Sequence, residues 1–106
     1  MSKKETIILL KKYLVLLKRS GIPVHKAFLY GSYANGQPSE ESDIDVMIIS
    51  ALFDNEDIES KAKAWSLTRQ IDTRIEPYTV GLNKFLSDDI SPLIQIVKKE
   101  GIEITD

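Results

Sequence analysis

Two aspartates, Asp43 and Asp45, flank a single residue at the start of the apolar run 46–49. Because side chains two apart in a strand point to the same face, we expect the two carboxylates to project side by side. Like charges at that separation repel and raise each other's pKa unless a cation offsets them. Mg²⁺ is commonly held by one or two carboxylates together with substrate phosphates. The spacing therefore predicts a magnesium site beside bound phosphate, with a solvated strand start as the alternative.

A Gly-Ser pair, Gly31 and Ser32, follows the apolar segment 24–30, and ten residues separate Ser32 from Asp43. A strand that ends in this pair presents backbone N–H groups and a hydroxyl at one place, and glycine lets a bulky ligand approach the backbone closely. Such amide groups bind phosphate. The pair predicts a phosphate contact, although a Ser32 that only caps a short helix would look the same.

A third acid, Glu76, lies in the strand-like segment 74–80. If this segment pairs with the strand that carries Asp43 and Asp45, Glu76 meets both aspartates. Three carboxylates around two metal ions suit phosphoryl or nucleotidyl transfer, because the ions bind the attacking and the leaving oxygens. One carboxylate can also accept the proton of an attacking hydroxyl. The alternative is that Glu76 is an exposed residue of an edge strand.

Hydrophobic periodicity and Gly or Pro breakers predict the elements that position these side chains. We predict helices over 4–19, 55–71 and 92–100, strands over 24–30, 43–49 and 74–80, short helical turns after Gly31 and over 82–86, a polar loop over 36–42, and a short strand or irregular end at 102–105. This order predicts an α/β (α+β) fold in one domain over 1–106, with a small mixed sheet of three to four strands flanked by helices. Pro77 lacks a backbone donor, which favours an edge or a strand end.

Two of the predicted helices carry signals at their ends and faces. Asp54 or Asn55 is the expected N-cap of the helix over 55–71, and Ser91 is that of the helix over 92–100. The core face of the first of these helices is predicted to contain Ile58, Ala62, Trp65 and Ile71.

The helix over 4–19 has an apolar face wider than a surface helix usually shows. Its polar pairs recur every seven residues, at Lys4-Glu5, Lys11-Lys12 and Lys18-Arg19. Nearly every residue between them is apolar. Two interpretations have equal weight: the helix lies deep on the sheet, or part of its face forms an interface in a homo- or hetero-oligomer.

The composition limits the classes of function. The chain has 106 residues, a formal net charge of −2 and no cysteine. The small net charge gives no strong field for nucleic acid or a membrane, and the lack of cysteine excludes disulfides and thiolate chemistry. The longest apolar run of the N-terminal segment, 13–17, is too short to span a membrane, which takes about 20 residues. We expect a soluble, cytoplasmic protein, and we assign no role to His25, the single histidine, which is expected to be structural or exposed.

The stretch "FLYGSYANGQPSEESDIDVMII" contains Gly-Ser, ten residues and Asp-x-Asp, and it resembles the signature of the polymerase-beta nucleotidyltransferase superfamily. The chain is similar to the minimal nucleotidyltransferases, which implies the polymerase-beta-like fold. The resemblance also implies that Gly31 and Ser32 bind the β and γ phosphates of ATP, and that Asp43 and Asp45 bind Mg²⁺. Glu76 would be the third carboxylate of the site, with a catalytic and a metal-binding role, and the site would hold two ions.

The resemblance further implies a partner. Minimal nucleotidyltransferases resemble the antitoxin half of pairs with HEPN-type toxins, in which a tyrosine of the toxin is adenylylated. The chain is accordingly predicted to be a Mg²⁺-dependent nucleotidyltransferase that transfers AMP to such a toxin, with no role in binding nucleic acid. Two alternatives stay open: a weak or inactive enzyme that neutralises its partner by binding, and a nucleotidyltransferase that acts on a small molecule.

Two features depart from the family pattern. The third acid is most often aspartate, and the extra methylene of Glu76 moves the carboxylate outward, where a displacement of about 1 Å can lower a rate about 10²-fold. Basic residues that many relatives carry after Gly-Ser are replaced by Tyr33 and Asn35. Contact with the triphosphate would then fall to Arg74, Lys26 or a partner chain, although a surface ion pair is the simpler role for Arg74.

Overall fold

The computed structural model describes residues 2–35, 42–55 and 57–105. Five helices lie in these ranges: α1 (Lys3–Arg19), α2 (Ser32–Asn35), α3 (Ile58–Leu67), α4 (Leu82–Ser87) and α5 (Pro92–Glu100). Four strands accompany them: β1 (Lys26–Tyr30), β2 (Ile44–Ser50), β3 (Ile75–Gly81) and β4 (Ile102–Glu103). Two 3₁₀ turns flank α3, at Ala51–Asn55 and Thr68–Gln70. The predicted elements are confirmed in kind and order, and the predicted loop over 36–42 lies, apart from Ser42, outside the described residues.

The four strands form one mixed sheet in the order β3-β2-β1-β4. β1 runs antiparallel to β2 and to β4, whereas β2 and β3 are parallel. A parallel pair needs a crossover connection, and α3 lies in the one that joins β2 to β3. The predicted α/β fold with a mixed sheet of three to four strands is therefore confirmed. Pro77 lies in β3, an edge strand, as its missing N–H predicts.

Helices cover both faces of the sheet, so the central strand β2 is buried from both sides. One face packs against α1 and α3, and its buried strand residues are Ala27, Leu29, Ile44, Val46, Ile48 and Ile75. The other face packs against α4 and α5, with buried residues Met47, Ile49, Val80, Phe85, Ile94 and Val97. Burial on both faces explains why the run 46–49 is continuously apolar and does not alternate.

α1 begins with a capping box in which the Ser2 hydroxyl accepts the Glu5 N–H at 3.1 Å and the Glu5 carboxylate accepts the Ser2 N–H at 3.3 Å. Its inner face buries Thr6, Leu10, Tyr13, Leu14 and Leu17. On its outer face, Ile8 and Val15 stay 48% and 37% exposed. The apolar face of α1 is thus wider than the sheet covers. Within the described ranges, neither α1 nor any other helix is long and apolar enough to cross a membrane.

α3 begins later than the helix predicted over 55–71. The predicted N-cap, Asp54 or Asn55, is wrong, because both residues belong to a 3₁₀ turn. Asp57 is the N-cap, and its carboxylate accepts two N–H groups of the first helical turn. Phe53, buried in the core, anchors the preceding turn, so the helix starts only after the chain has left it.

The buried face of α3 also differs from the prediction. Three of the four residues predicted for this face are exposed: Ile58, Ala62 and Trp65. Ile71 packs against the core, and the buried residue of the helix is Ala64. The Tyr13 hydroxyl of α1 donates to the Ala64 carbonyl at 2.6 Å. The small side chain of Ala64 permits this close approach, which decides the face that α3 turns inward.

α5 starts at Pro92 and is followed by Gly101, as predicted, but its predicted cap acts differently. Ser91 occupies the N-cap position, yet its hydroxyl makes no cap bond and donates to Asp88 Oδ2 at 2.6 Å. That bond and those from the N–H groups of Ser91 and Ile90 lower the pKa of Asp88 to about 2. An ionised carboxylate is the stronger acceptor, so Asp88 organises the connection before α5.

Replacing Tyr13 with phenylalanine removes the hydrogen bond between α1 and α3 and keeps the ring. The Ala64 carbonyl then loses a partner inside the core, which costs about 1–3 kcal/mol. We expect the free energy of unfolding, measured by urea denaturation with circular dichroism, to fall by about that amount. Tyr78→Phe is the matched control, because Tyr78 is 48% exposed. Equal losses in the two variants would contradict the role given to Tyr13.

Candidate functional site

The starts of β2 and β3 lie side by side at one end of the sheet, where β1 ends. In the parallel pairing of β2 with β3, Asp45 lies directly opposite Glu76. In the antiparallel pairing of β1 with β2, Tyr30 lies opposite Asp45. Residues paired across neighbouring strands project to the same face, so Tyr30, Asp45 and Glu76 form a row across three strands.

Asp43 precedes β2 by one residue and is exposed. The N–H of Ile44 donates to the Arg74 carbonyl at 2.8 Å, which ties together the two segments that carry Asp43 and Glu76. Asp43 and Asp45 both lie close enough to Glu76 to raise the pKa of its carboxyl group. The structure therefore brings the three acids together, as expected for neighbouring strands.

The three carboxyl groups oppose one another's ionisation. Partial burial raises the pKa of Asp45, the charge of Asp43 raises it further, and a hydrogen bond from Glu76 acts in the opposite direction. Loss of hydration raises the pKa of Glu76, and the charges and hydrogen bonds of Asp43 and then of Asp45 add to the rise. The trio is thus a concentration of negative charge that a cation would stabilise.

Gly31 brings the backbone against Asp45 at the turn between β1 and α2. Its φ is +77°, in the left-handed region that glycine occupies without strain. A β carbon on Gly31 would overlap Asp45 Oδ2 and lie 3.3 Å from Asp45 Cγ. Ser32, the first residue of α2, follows directly. The structure thus sets the Gly-Ser pair beside the acids, with a bare backbone at the point of contact.

The donor set suits Mg²⁺, which prefers carboxylate oxygens and leaves several positions to water and phosphate. Over residues 2–35, 42–55 and 57–105, no group of three or more His, Cys, Asp or Glu side chains is arranged so that it could hold a metal ion. A magnesium ion held by one or two carboxylates and phosphate oxygens needs no such group of three. Asp43 and Asp45, with Glu76 beside them, therefore fit an ion that a triphosphate helps to hold.

The two residues that replace the basic positions after Gly-Ser do not supply a charge. Tyr33 is 1% exposed and packs in the core cluster that includes α1. Among the described residues, its hydroxyl is a buried side-chain oxygen without a hydrogen-bond partner. Tyr33 therefore anchors α2 by packing. The side chain of Asn35 lies outside what the structure describes.

Arg74 forms the ion pair expected as its simpler role. Its Nη2 lies 2.8 Å from Asp72 Oδ2, and its Nε donates to Asp72 Oδ1 at 3.1 Å. Lys26 begins β1 and pairs with Ile49, four residues and about 13 Å from Tyr30. Lys26 thus lies at the end of the strand remote from the acids, and the structure does not support it as a phosphate ligand.

His25, to which the sequence assigns no role, is exposed. Its Nδ1 accepts the N–H of Ala51 at 3.4 Å, across the turn that follows β2. This contact lies at the end of the sheet opposite the acids, because His25 precedes β1. His25 is accordingly a surface residue with a local structural contact.

Two tyrosines beside the acids are not evident from the motif. Burial raises the pKa of Tyr30 to about 12, and the nearby charge of Asp45 adds to the effect. Tyr78 follows Glu76 by two residues in β3, so both project to the same face. Two features of the sequence could have indicated these tyrosines. Tyr30 directly precedes Gly31, and strand alternation puts Tyr78 on the same face as Glu76.

Residues 11–106 match the family model described as polymerase beta, nucleotidyltransferase. That range contains the Gly-Ser pair, the two aspartates and Glu76, together with every strand of the sheet. No curated protein sequence matches the chain.

Three solved structures share the fold. A crystal structure of a toxin–antitoxin with AMP-PNP has a TM-score of 0.62 at 23% identity, covering 90% of this chain and 72% of that chain. A variant of the toxin–antitoxin MntA–HpeT, in which two aspartates two positions apart are replaced by glutamates, has a TM-score of 0.61 at 20% identity with the same coverage. A protein from Sulfolobus solfataricus assigned as a nucleotidyltransferase has a TM-score of 0.60 at 16% identity, covering 77% of this chain and 72% of its own. These similarities agree with the predicted polymerase-beta-like fold.

Gly31→Ala is expected to be more damaging than Gly21→Ala. Both glycines have a positive φ, +77° and +91°, so alanine introduces about 1–2 kcal/mol of backbone strain at either position. At Gly31 the new β carbon also strikes Asp45, whereas nothing lies within 4 Å at Gly21. Thermal unfolding should show the larger fall for Gly31→Ala, and calorimetric titration with ATP and Mg²⁺ should show weaker binding for that variant alone. Equal effects would contradict the close contact.

Removing one charge from the trio is expected to stabilise the protein when divalent cations are absent. The pKa values of Asp45 and Glu76 are raised in the folded state, so the folded form holds protons more strongly than the unfolded chain. Stability therefore falls as pH rises from about 4 through the raised values. Asp43→Asn relieves the repulsion, and its Tm in EDTA at neutral pH should exceed that of the wild type by about 1–4 °C.

The control for this measurement is Asp89→Asn, which removes an exposed acid between α4 and α5. Its Tm should stay within about 1 °C of the wild type. Below about pH 4 the advantage of Asp43→Asn should shrink, because the acids are then protonated in both states. A Tm for Asp43→Asn at or below that of the wild type would contradict the mutual repulsion of the trio.

Proposed function

The chain belongs to the polymerase beta nucleotidyltransferase family, and on this basis we propose that it is a Mg²⁺-dependent enzyme that transfers AMP from ATP to a hydroxyl group. The acceptor we propose is a tyrosine of a HEPN-type toxin, so that the chain acts as an antitoxin. The observation that carries the proposal is the row in which Asp45 lies beside Glu76, with Asp43 near Glu76 and Gly31 against Asp45.

Gly31 and Ser32 are proposed to bind the β and γ phosphates. The bare backbone of Gly31 allows a phosphate to approach its amide group closely, and the Ser32 hydroxyl adds a second donor. The contact between Gly31 and Asp45 supports this assignment, because the backbone of Gly31 lies next to the carboxylate of Asp45.

The three acids are proposed to hold the metal and the attacking hydroxyl. Two Mg²⁺ ions bound by Asp43, Asp45 and Glu76 would supply charge neutralisation at the phosphates and at the departing pyrophosphate. A carboxylate oxygen of Glu76 accepts the proton of the attacking hydroxyl. The hydroxyl oxygen bonds to the α phosphorus, and the bond from that phosphorus to the oxygen bridging to the β phosphate breaks, which releases pyrophosphate.

The length of Glu76 is compatible with this role. Both aspartates raise the pKa of its carboxyl group, so with its extra methylene this group still lies near them. Glu76 is exposed in β3, an edge strand.

Two structural neighbours support the antitoxin role. Both are toxin–antitoxin structures, and one of them contains AMP-PNP, an analogue of ATP. The other has two aspartates two positions apart replaced, a spacing that Asp43 and Asp45 share. Each neighbour covers 90% of this chain.

A second candidate function is neutralisation by binding alone. The exposed Ile8 and Val15 favour it, because apolar residues on the outer face of α1 suit contact with another chain. In this case the chain would protect against the toxin without transferring a nucleotide. The two functions differ in their dependence on the acids.

The transfer experiment uses ATP labelled on the α phosphate or on the γ phosphate. Each is mixed with the chain, Mg²⁺ and the protein encoded by the neighbouring gene, which the proposal takes to be the toxin. Label on the α phosphate should appear on the toxin and label on the γ phosphate should not, because AMP is transferred and pyrophosphate leaves. Asp43→Asn and Asp45→Asn should each lower the initial rate by at least about 10²-fold. Gel electrophoresis with phosphorimaging measures the rate, and mass spectrometry locates the modified residue.

Asp89→Asn is again the control and should keep the wild-type rate, because Asp89 is not among the groups that shift the pKa of Asp45 or Glu76. Omitting Mg²⁺ should abolish the label. If no label from the α phosphate is transferred to the toxin, the enzymatic proposal is wrong. If Asp45→Asn still protects cells against the toxin in that case, neutralisation by binding is the function.

A further inference from the structure

The basic residues of the chain are concentrated on α1. This helix carries six of the fourteen Lys and Arg residues and one of the sixteen Asp and Glu residues. The remainder of the chain is strongly acidic by comparison, although the whole has a net charge of only −2. The nearly neutral net charge of the chain is therefore the sum of a basic helix and an acidic remainder.

The outer face of α1 combines this charge with exposed apolar side chains. Ile8 and Val15 are seven residues apart, hence two turns apart on the same face, and they are 48% and 37% exposed. A shallow groove of about 470 Å³ runs along this face, lined by Ile8, Lys11, Lys12, Val15, Leu16 and Arg19. We call these six residues the α1 groove.

α1 cannot rotate to hide the groove. Leu10, Tyr13, Leu14 and Leu17 hold the opposite side of the helix in the core, where each is at most 1% exposed. The Tyr13 hydroxyl is also bonded to the carbonyl of Ala64 in α3. The α1 groove is therefore a fixed surface with an apolar floor and a basic rim.

We propose that the α1 groove docks an amphipathic helix of a protein partner, whose apolar residues are flanked by Asp or Glu. The apolar residues of the partner helix fill the floor of the groove between Ile8 and Val15. The carboxylates of the partner helix contact Lys11, Lys12 and Arg19 at the rim. The proposal rests on the proposed function in one respect: it takes the toxin as the protein that carries this helix.

Charge argues against a second copy of the chain as the occupant. In a two-fold dimer through the α1 groove, the same patch meets itself, so Lys11, Lys12 and Arg19 of one copy would face those of the other. Like charges brought together in an interface are unfavourable. The candidate site is also the wrong place for an acidic helix, because Asp43 and Asp45 would repel it.

The shape of the helix argues against a membrane as the occupant. A helix that lies in the lipid interface buries a broad apolar face in the bilayer. The broad face of α1 is committed to the core. Outside it, Ile8 and Val15 are exposed, and Ile7, Leu9 and Leu16 are partly exposed. Such a narrow stripe is suited to contact with one partner helix.

The test measures the affinity of the toxin for the chain by biolayer interferometry, with Asp43→Asn present in every protein so that no transfer is needed. One variant removes the apolar floor, Ile8→Ser with Val15→Ser. A second reverses the rim, Lys11→Glu with Lys12→Glu. Their matched controls are Ile58→Ser, at a 79% exposed apolar residue of α3, and Lys99→Glu, at an exposed lysine of α5.

We expect each groove variant to bind the toxin at least tenfold more weakly than the parent, and both controls to bind within about twofold of it. The rim variant should also lose most of the dependence of affinity on salt. All variants should keep the parent Tm within about 2 °C, since the substituted residues are exposed. Because the measurement needs no catalysis, failure of nucleotide transfer leaves its result valid.

Three results would overturn the proposal. The first is no binding of the toxin to the parent, or equal binding by parent and groove variants. The second is a dimer of the chain alone, seen by light scattering, that the groove variants abolish, which would make a second copy the occupant. The third is sedimentation with phosphatidylserine vesicles that Lys11→Glu with Lys12→Glu abolishes while toxin binding is unchanged, which would make a membrane the occupant.

Discussion

The parallel pairing of β2 with β3 is the interaction on which the candidate site depends. It sets Asp45 directly beside Glu76, and a slip of one residue would turn one of these side chains to the opposite face. The register is fixed by the apolar residues of β2, which are buried from both sides, and by the bond from the Ile44 N–H to the Arg74 carbonyl. A hydrophobic core thus determines where three mutually repelling charges meet.

The site conflicts with the stability of the fold that holds it. Burial and neighbouring charge raise the pKa of Asp45, so the ionised trio is unfavourable until a cation is bound. Gly31 takes a left-handed conformation and leaves out a side chain where Asp45 needs the space. Local rules of stability are broken at these positions and kept elsewhere in the sheet, which is the pattern expected of a functional site.

The distribution of charge divides the surface between two tasks. The acids gather at one end of the sheet, where a metal and a triphosphate suit them, and the bases gather on α1. A partner that approaches the chain therefore meets opposite fields on different sides. The inner half of the broad apolar face of α1 covers the sheet, as the first interpretation predicts. Its outer half stays exposed, and an interface there stays a prediction.

Local sequence determined whatever depends on near neighbours along the chain. Three local features could be predicted from the sequence: the shared face of Asp43 and Asp45, the break at Gly31 and the edge position of Pro77. They were predictable because strand alternation and backbone sterics act over a few residues. The ends of the helices could be predicted only in part. The cap of α3 is Asp57 and not the predicted Asp54 or Asn55, because those two residues belong to the preceding 3₁₀ turn. Ser91 holds the predicted N-cap position of α5, but its hydroxyl donates to Asp88 and makes no cap bond.

The tertiary structure decided what depends on residues far apart in sequence. Trp65 looked like core, but Tyr13 of α1 selected Ala64 as the buried position, since only a small side chain lets the two helices approach. The sequence predicted that Glu76 would meet the two aspartates only if its strand pairs with theirs, and the order and register of the sheet decide that pairing. A sequence pattern specifies which way a side chain points relative to its own strand, whereas its neighbour across the sheet is set by how the whole core packs.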